Sequence, residues 1–254
     1  MNKLILVFLL VLSPLVSAKD LFFSVNKLGR IELAKTESAA ISAEVNTEML
    51  KSGASEFGMH LPGGGYEILV IDRLQERSHT SVSWFGHIKG QSNSTVHFSV
   101  VNGFIAGSLQ TEKETFEILP LSKDQVRIAA LLTNEFEQCD GEDDSPTVEV
   151  HDEVEPEGSF GASTFDVMVV YTPEARDAVG GVGSIEAMAQ SAVDTMNQAF
   201  MNSVVDAEAR LSYTGVVPYN DSGSSSDDLS WVRSDNYVAE LRSAYGGDLV
   251  SLLV

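Results

Sequence analysis

Apolar residues recur with two different periodicities along the chain. Between residues 20 and about 135, short runs rich in β-branched and aromatic residues alternate with turn residues, a pattern typical of β-strands. Asn102-Gly103 separates two of these runs and predicts a type I′ hairpin, since both central positions of that turn need positive φ. Residues 36–50 have helical composition with weak periodicity. The predicted strands are residues 66–74, 81–88, 96–101, 104–109 and 115–119.

From residue 163 onward the pattern changes to alternating strands and helices. Residues 165–171 form a nearly continuous apolar run, as a strand buried on both faces should. Residues 207–213 alternate like a half-buried strand, and residues 249–254 form a third apolar run. Between them, apolar residues at three- and four-residue steps predict one helix capped by Ser184 and a second over residues 235–245. The expected order is strand, helix, strand, helix, strand.

The first 18 residues predict export. Lys3 precedes nine consecutive apolar residues, and Val16-Ser17-Ala18 supplies the small residues of a signal-peptidase site. The alternative is a membrane anchor, but the run has about half of the ~20 residues needed to cross a bilayer. We therefore expect a secreted product, in the periplasm or the medium, cleaved after Ala18.

Charge and cysteine usage narrow the class of protein. The formal net charge is -21, which argues against nucleic-acid partners and against docking on anionic membranes, because both need clustered Lys and Arg. The single cysteine, Cys139, cannot form an internal disulfide. Nine of the eighteen residues from 140 to 157 are acidic, so residues 139–162 are predicted to be a linker that cannot bury enough apolar surface to fold.

Catalytic motifs are absent from the sequence given. No two of the five histidines stand at the i, i+4 spacing of a zinc-binding helix, and residues 163–254 contain neither histidine nor cysteine. Gly180-Gly181-Val182-Gly183 lacks the spacing of a dinucleotide loop. There is no nucleophile elbow. Asp227-Asp228 could bind calcium, although a solvated loop is the favoured interpretation.

Four blocks of the second half nevertheless resemble a known family. Residues 165–176 (FDVMVVYTPEAR), 185–205, 209–220 and 240–254 (ending GGDLVSLLV) are similar to the start of the catalytic domain of bacterial secreted, reprolysin-like (metzincin) zinc metalloproteases. Upstream, residues 66–74, 83–90 and 96–111 resemble the β-rich propeptide of such precursors.

The resemblance implies a fold and a domain order. A β-rich propeptide over residues 19–138 would be followed, after the linker, by an α/β metzincin-like domain from residue 163. That domain would be the zincin N-terminal subdomain, β-α-β-α-β, incomplete at residue 254.

The resemblance also implies an activity: hydrolysis of polypeptide substrates by a secreted zinc metalloendopeptidase precursor. The family holds zinc with an H-E-x-x-H-x-x-G-x-x-H helix that lies downstream of the strand ending at Val254. We therefore assign no catalytic residue, expect zinc only in the full-length family member and no tight zinc in this chain, and leave open whether the chain is itself an enzyme.

Three further hypotheses remain open. Cys139 stands at the end of the propeptide-like region, where, by analogy with animal relatives, it could ligate zinc as a cysteine switch; an exposed thiol is the alternative. No Lys or Arg occurs between Arg127 and Arg176, so processing at basic residues is excluded there; because some members of the family that the chain resembles cleave at acidic residues, the resemblance implies self-cleavage within residues 140–160. Competing functions are a secreted, non-catalytic binding or adhesion protein and a propeptide-type inhibitor of a related protease.

Overall fold

The structure is a computed structural model that describes residues 20–24, 32–46, 49, 53–133 and 163–254. The predictions for the leader 1–18, for the linker 139–162 and for Cys139 lie outside these residues. Within them, no helix is both long and apolar enough to cross a bilayer.

Nine strands close into a barrel. Along the barrel wall the order is β1-β2-β9-β8-β7-β6-β5-β4-β3. Neighbours pair antiparallel, except that β1 closes the barrel by pairing parallel with β3, with Phe22 opposite Met59. A short 3-10 helix, Pro62–Gly64, lies between β3 and β4. The strands are β1 Asp20–Ser24, β2 Glu37–Val45, β3 Glu56–His60, β4 Tyr66–Ser78, β5 Ser81–Ile88, β6 Gln91–Val101, β7 Phe104–Gln110, β8 Thr115–Pro120 and β9 Gln125–Leu131.

Apolar and polar residues alternate along these strands, and the apolar side chains fill the interior of the barrel. Phe98 is fully buried and meets Phe22 edge-to-face at 5.5 Å between ring centroids. The ring of Phe57 stacks on Trp84 at 5.1 Å. Because successive side chains of a strand point to opposite faces, each inward aromatic leaves its neighbours on the outer wall. Other fully buried core residues are Leu21, Met59, Leu69, Ile88, Ile105, Leu109, Ile118 and Ile128.

Residues 163–254 form a smaller, three-stranded parallel sheet in the order β11-β10-β12, flanked by helices. The central strand, β10, is buried along Val167 to Tyr171, so the prediction of a strand covered on both faces is confirmed. The elements are β10 Ser163–Tyr171, α1 Pro173–Ala178, α2 Val182–Asn202, β11 Ala207–Val216, α3 Ser225–Ser234, α4 Asn236–Tyr245 and β12 Leu249–Leu253.

Local capping explains where most of these helices begin and end. The Thr172 hydroxyl accepts the Ala175 amide before α1, and the Asp235 carboxylate accepts two amides at the start of α4. α4 stops at Gly246, whose φ of 67° is the left-handed conformation that glycine supplies at helix ends. The predicted turn at Asn102-Gly103 is also confirmed, with φ of 52° and 88°.

The fold class predicted from the sequence is wrong. A β-rich propeptide followed by an α/β metzincin-like domain was expected, whereas the molecule is mostly strand, dominated by a closed nine-stranded mixed barrel with few helices. Barrel closure depends on the β1–β3 pairing, and the short β1 and β3 carry no strong alternation of their own. Sequence periodicity reports single strands and not the register that joins distant ones.

Two local predictions are also wrong, and one segment to which no element was assigned is a strand. Much of the helical-looking segment 36–50 is strand β2, because its small residues line the barrel wall and pairing with β9 outweighs their helix propensity. Helix α2 begins after Gly181, and the Ser184 hydroxyl is buried and donates to the Pro120 carbonyl at 3.5 Å instead of capping the helix. Helix α3, which includes Asp227 and Asp228, was read as a loop.

Candidate functional site

Helix α2 lies between the parallel sheet and the barrel and is buried on both sides. Its apolar side meets the sheet through Ala189, Val193, Met196 and Phe200, as its periodicity predicted. Its other side carries Gly183, Ala187, Ser191 and Asp194 at four-, four- and three-residue steps, which places them on one stripe. Of these four, Ala187, Ser191 and Asp194 are buried.

The barrel covers this stripe with the outer wall of β5 to β8. Two cross-strand rows run there: Gln75–Ser83–Ser99–Ala106 and Arg73–Phe85–His97–Ser108–Glu117. Both rows are polar at their centre, at Ser83, Ser99 and His97. At one end of the helix, the absent side chain of Gly183 leaves room for the ring of Phe104, since a Cβ there would lie 2.1 Å from the ring.

Asp194 is the charged centre of the interface and is fully buried. Three of its partners come from the barrel: Arg77 donates at 2.5 Å, Ser99 donates at 2.5 Å and Ser83 also donates. The fourth, Gln190, donates at 3.2 Å from the preceding turn of α2. A buried carboxylate is tolerated only when it is paired and hydrogen-bonded. The barrel therefore supplies the ion pair and most of the hydrogen bonds that stabilise Asp194 in its buried position.

His97 is the second polar centre and is also buried. Its Nε2 lies 2.9 Å from the Ser191 hydroxyl and 3.4 Å from that of Thr195, both on α2, while its Nδ1 lies 3.2 Å from the Ser108 hydroxyl on the barrel. Burial lowers the pKa of His97, and the nearby Asp194 carboxylate opposes that shift. The imidazole is therefore biased toward its neutral form.

Contacts at the rim are exposed and weaker. Asn102 donates to Glu186 at 3.3 Å and Gln75 donates to Glu208 at 3.4 Å.

At the far end of the second row, burial raises the pKa of Glu117, with the Glu37 carboxylate adding to the shift. Glu37 itself is paired with Arg127, which lowers the pKa of Glu37. These groups extend the polar outer wall beyond the helix.

The interface has the properties of a binding surface and not of an active site. Although Ser191, His97 and Asp194 are close together, Asp194 makes no bond to the imidazole, and Ser108 occupies the nitrogen that a triad carboxylate would orient. No substrate can reach side chains buried to this degree.

Other residues singled out in the sequence do not gather into a site. His87 pairs with Asp72 at 2.7 Å on the barrel surface, and His60 lies 3.8 Å from Asp20. Asp228 accepts hydrogen bonds from Ser222 and Tyr219, which lower the pKa of its carboxyl group, so this helical residue organises the loop that precedes α3. Across the described ranges, no group of three or more His, Cys, Asp or Glu residues is placed to hold a metal ion. The described residues therefore do not fit a zinc site.

A cavity of about 870 Å³ opens beside β4 on the barrel, and Leu74, Val82 and Trp84 contribute apolar lining. Arginines also line it, but each is engaged: Arg73 lies over the Phe85 ring at 4.0 Å, and Arg77 binds Asp194. Neither arginine is therefore free to bind an anionic ligand, and among the described residues no group of His, Cys, Asp or Glu side chains at the cavity is arranged to hold a metal ion.

Sequence reasoning missed the interface. Ser83, His97 and Ser99 alternate with apolar residues, which is also the pattern of an ordinary solvated strand face. Helix α2 carried no signal either, because polar residues such as Gln190, Ser191 and Asp194 opposite an apolar face are also the pattern of a helix whose second face meets water.

No family model matches the chain, and no curated protein matches it. Among solved structures, it is similar to the crystal structure of metalloproteinase-II from Bacteroides fragilis, with 11% identity, a TM-score of 0.39, and coverage of 77% of this chain and 65% of that one. A TM-score this low does not establish a common fold.

Proposed function

We propose that the chain is the N-terminal part of a secreted zinc metalloendopeptidase precursor, in which the barrel binds and restrains residues 163–254. The main support is the environment of Asp194. This carboxylate belongs to residues 163–254 and is fully buried, and three of its four hydrogen-bond donors lie on the barrel. The protease assignment is supported by the resemblance of residues 165–254 to that family.

The polar character of the interface supports a barrel that can detach. Interfaces that separate are more polar than permanent ones, because each face must be stable in water afterwards. The central side chains here are Ser83, Ser99 and His97 on the barrel and Ser191 and Asp194 on the helix. Once apart, these groups would be hydrated at little cost, which suits a domain removed during maturation.

The proposed activity requires zinc ligands outside the described residues. The described residues take no part in peptide hydrolysis, and their role in the precursor is to hold the barrel against helix α2. Polypeptide substrates, secretion and zinc dependence belong to the proposal for the whole precursor.

Peptidase assays on the full gene product test this function. A site for a specific protease is placed within residues 140–160, and hydrolysis of an unfolded polypeptide is followed before and after the cut. We expect chelator-sensitive hydrolysis that rises after the cut, and no hydrolysis or zinc retained after dialysis for residues 1–254 alone.

A control without the inserted site should not respond to the added protease. Absence of hydrolysis from the cut full-length product, with zinc supplied, would contradict the proposed function, whereas stoichiometric zinc in residues 1–254 would contradict the expectation that this part of the precursor holds no tight zinc.

A further inference from the structure

We propose that His97 makes the interface between the barrel and helix α2 acid-labile, so that the barrel is released from the helix as the pH falls through the mildly acidic range. The inference rests on the proposed function for its biological purpose. Its physical basis is the position of one buried imidazole at the contact between two units.

The geometry places His97 across the contact. One ring nitrogen faces the barrel at Ser108 and the other faces α2 at Ser191. In the neutral ring one nitrogen donates and the other accepts, and either serine hydroxyl can fill the complementary role. Thr195 donates its own proton to the Ser191 carbonyl at 2.9 Å, so it can only accept from the ring. The closed interface thus accommodates a neutral imidazole with every nitrogen bonded.

The charges around His97 do not remove the cost of protonating it. From α2, Asp194 is the facing carboxylate, but it is already neutralised by Arg77 of β4. Arg73, also of β4, lies beyond Phe85 in the same row, and Glu117 of β8 lies beyond Ser108. β5 presents Phe85 and β7 presents Ser108, neither of which is charged at these pH values. Burial therefore dominates, in agreement with the lowered pKa of His97.

Linkage gives the direction of the pH effect. When the barrel separates, His97 becomes a surface residue and its pKa returns toward the ordinary value of 6.5. The open form then binds more protons than the closed form at pH values between the two pKa values. The interface is most stable above about pH 6.5 and loses stability below it, and one proton allows up to a tenfold rise in the opening constant per pH unit.

A thiol placed under the barrel reports opening in the full chain. Ala187 is fully buried and lies on the stripe of α2 that contains Gly183 and Asp194. In an Ala187→Cys, Cys139→Ser protein, the thiol reacts with a disulfide reagent suited to acid only when the interface opens. Rates are divided by those of a Ser226→Cys, Cys139→Ser protein, whose exposed thiol corrects for the pH dependence of the chemistry.

We expect the corrected rate to rise below about pH 6.5 with a slope of up to tenfold per unit. Adding His97→Gln, which keeps a hydrogen-bonding side chain that does not titrate, should remove the slope. Adding His87→Gln, which changes a surface histidine paired with Asp72, should leave it intact. A flat profile in the parent, or an unchanged slope with His97→Gln, would overturn the proposal.

A second measurement covers the case in which these variants do not fold. The imidazole of His97 can be titrated by NMR in the unaltered chain, and a midpoint at or above 6.5 in the closed form would equally overturn the proposal. The outcome is separable from that of the peptidase assay. Acid-dependent opening without hydrolysis would reject only the protease function, while hydrolysis with a flat opening profile would reject only the switch.

Discussion

Replacing Asp194 with alanine is expected to destabilise the chain by about 3 kcal/mol, because it leaves Arg77, Ser83 and Ser99 without their acceptor. Removing one partner of a buried ion pair costs roughly 3–5 kcal/mol. The lower end applies here since the Arg77 side chain is 23% exposed and can recover some hydration. Urea denaturation followed by circular dichroism at 222 nm measures the change.

The same experiment shows whether the two units unfold together. The four described α-helices all lie in residues 173–245, so the loss of their signal at 222 nm follows the unfolding of residues 163–254. Near-ultraviolet signals include Trp84 of the barrel as well as Trp231 of α3. We expect one transition for both probes in the parent and an earlier helix transition in Asp194→Ala.

Asp166→Ala is the matched control. Asp166 pairs with Arg210 on the surface of the sheet at 3.0 Å, and the Arg210 side chain is 60% exposed. Exposed pairs contribute about 0–1 kcal/mol, so this variant should unfold nearly as the parent does. Equal effects of the two substitutions would count against a special role for the buried carboxylate.

Replacing Phe98 with alanine should have a comparable effect through a different cause. Phe98 is fully buried in the barrel and contacts Phe22 on the closing strand β1. Truncating a core phenylalanine costs roughly 3–5 kcal/mol, because transfer energy is lost and a cavity remains. Thermal and urea unfolding of the purified chain measure this loss.

Leu33→Ala provides the comparison, since Leu33 is 44% exposed and lies outside the barrel strands. A surface truncation of this kind is expected to change the stability by about 0.5 kcal/mol or less. If Phe98→Ala were equally mild, the closed, well-packed barrel would be incorrect.

Local elements were predictable wherever one residue pattern decides the structure. Apart from Asp166 near its start, the run 165–171 is apolar, so a buried strand was its natural outcome, and β10 is that strand. Asn102-Gly103 is a turn because few other pairs tolerate two positive φ values. The helix over residues 235–245 was recognised from its apolar face and its terminal glycine.

Barrel closure and the interface with α2 were not predictable from the sequence, because both depend on contacts between residues that are distant along the chain. The barrel closes where β1 pairs with β3, with Phe22 opposite Met59. No sequence pattern near either residue predicts this pairing. The polar wall formed by Ser83, His97 and Ser99 becomes an interface only because α2 covers it, some 90 to 110 residues further along the chain. An outward polar face is the same in sequence whether water or a helix lies against it.

A double-mutant cycle between Arg77 and Asp194 tests the central claim most directly, because it measures the contact between barrel and helix in the intact chain. Free energies of unfolding are needed for Arg77→Ala, Asp194→Ala and the double variant. The structure predicts an interaction energy of roughly 1–3 kcal/mol, with the double variant little worse than Asp194→Ala alone. Effects that simply add, to within about 0.5 kcal/mol, would show that the two side chains do not meet and would contradict the binding of helix α2 by the barrel.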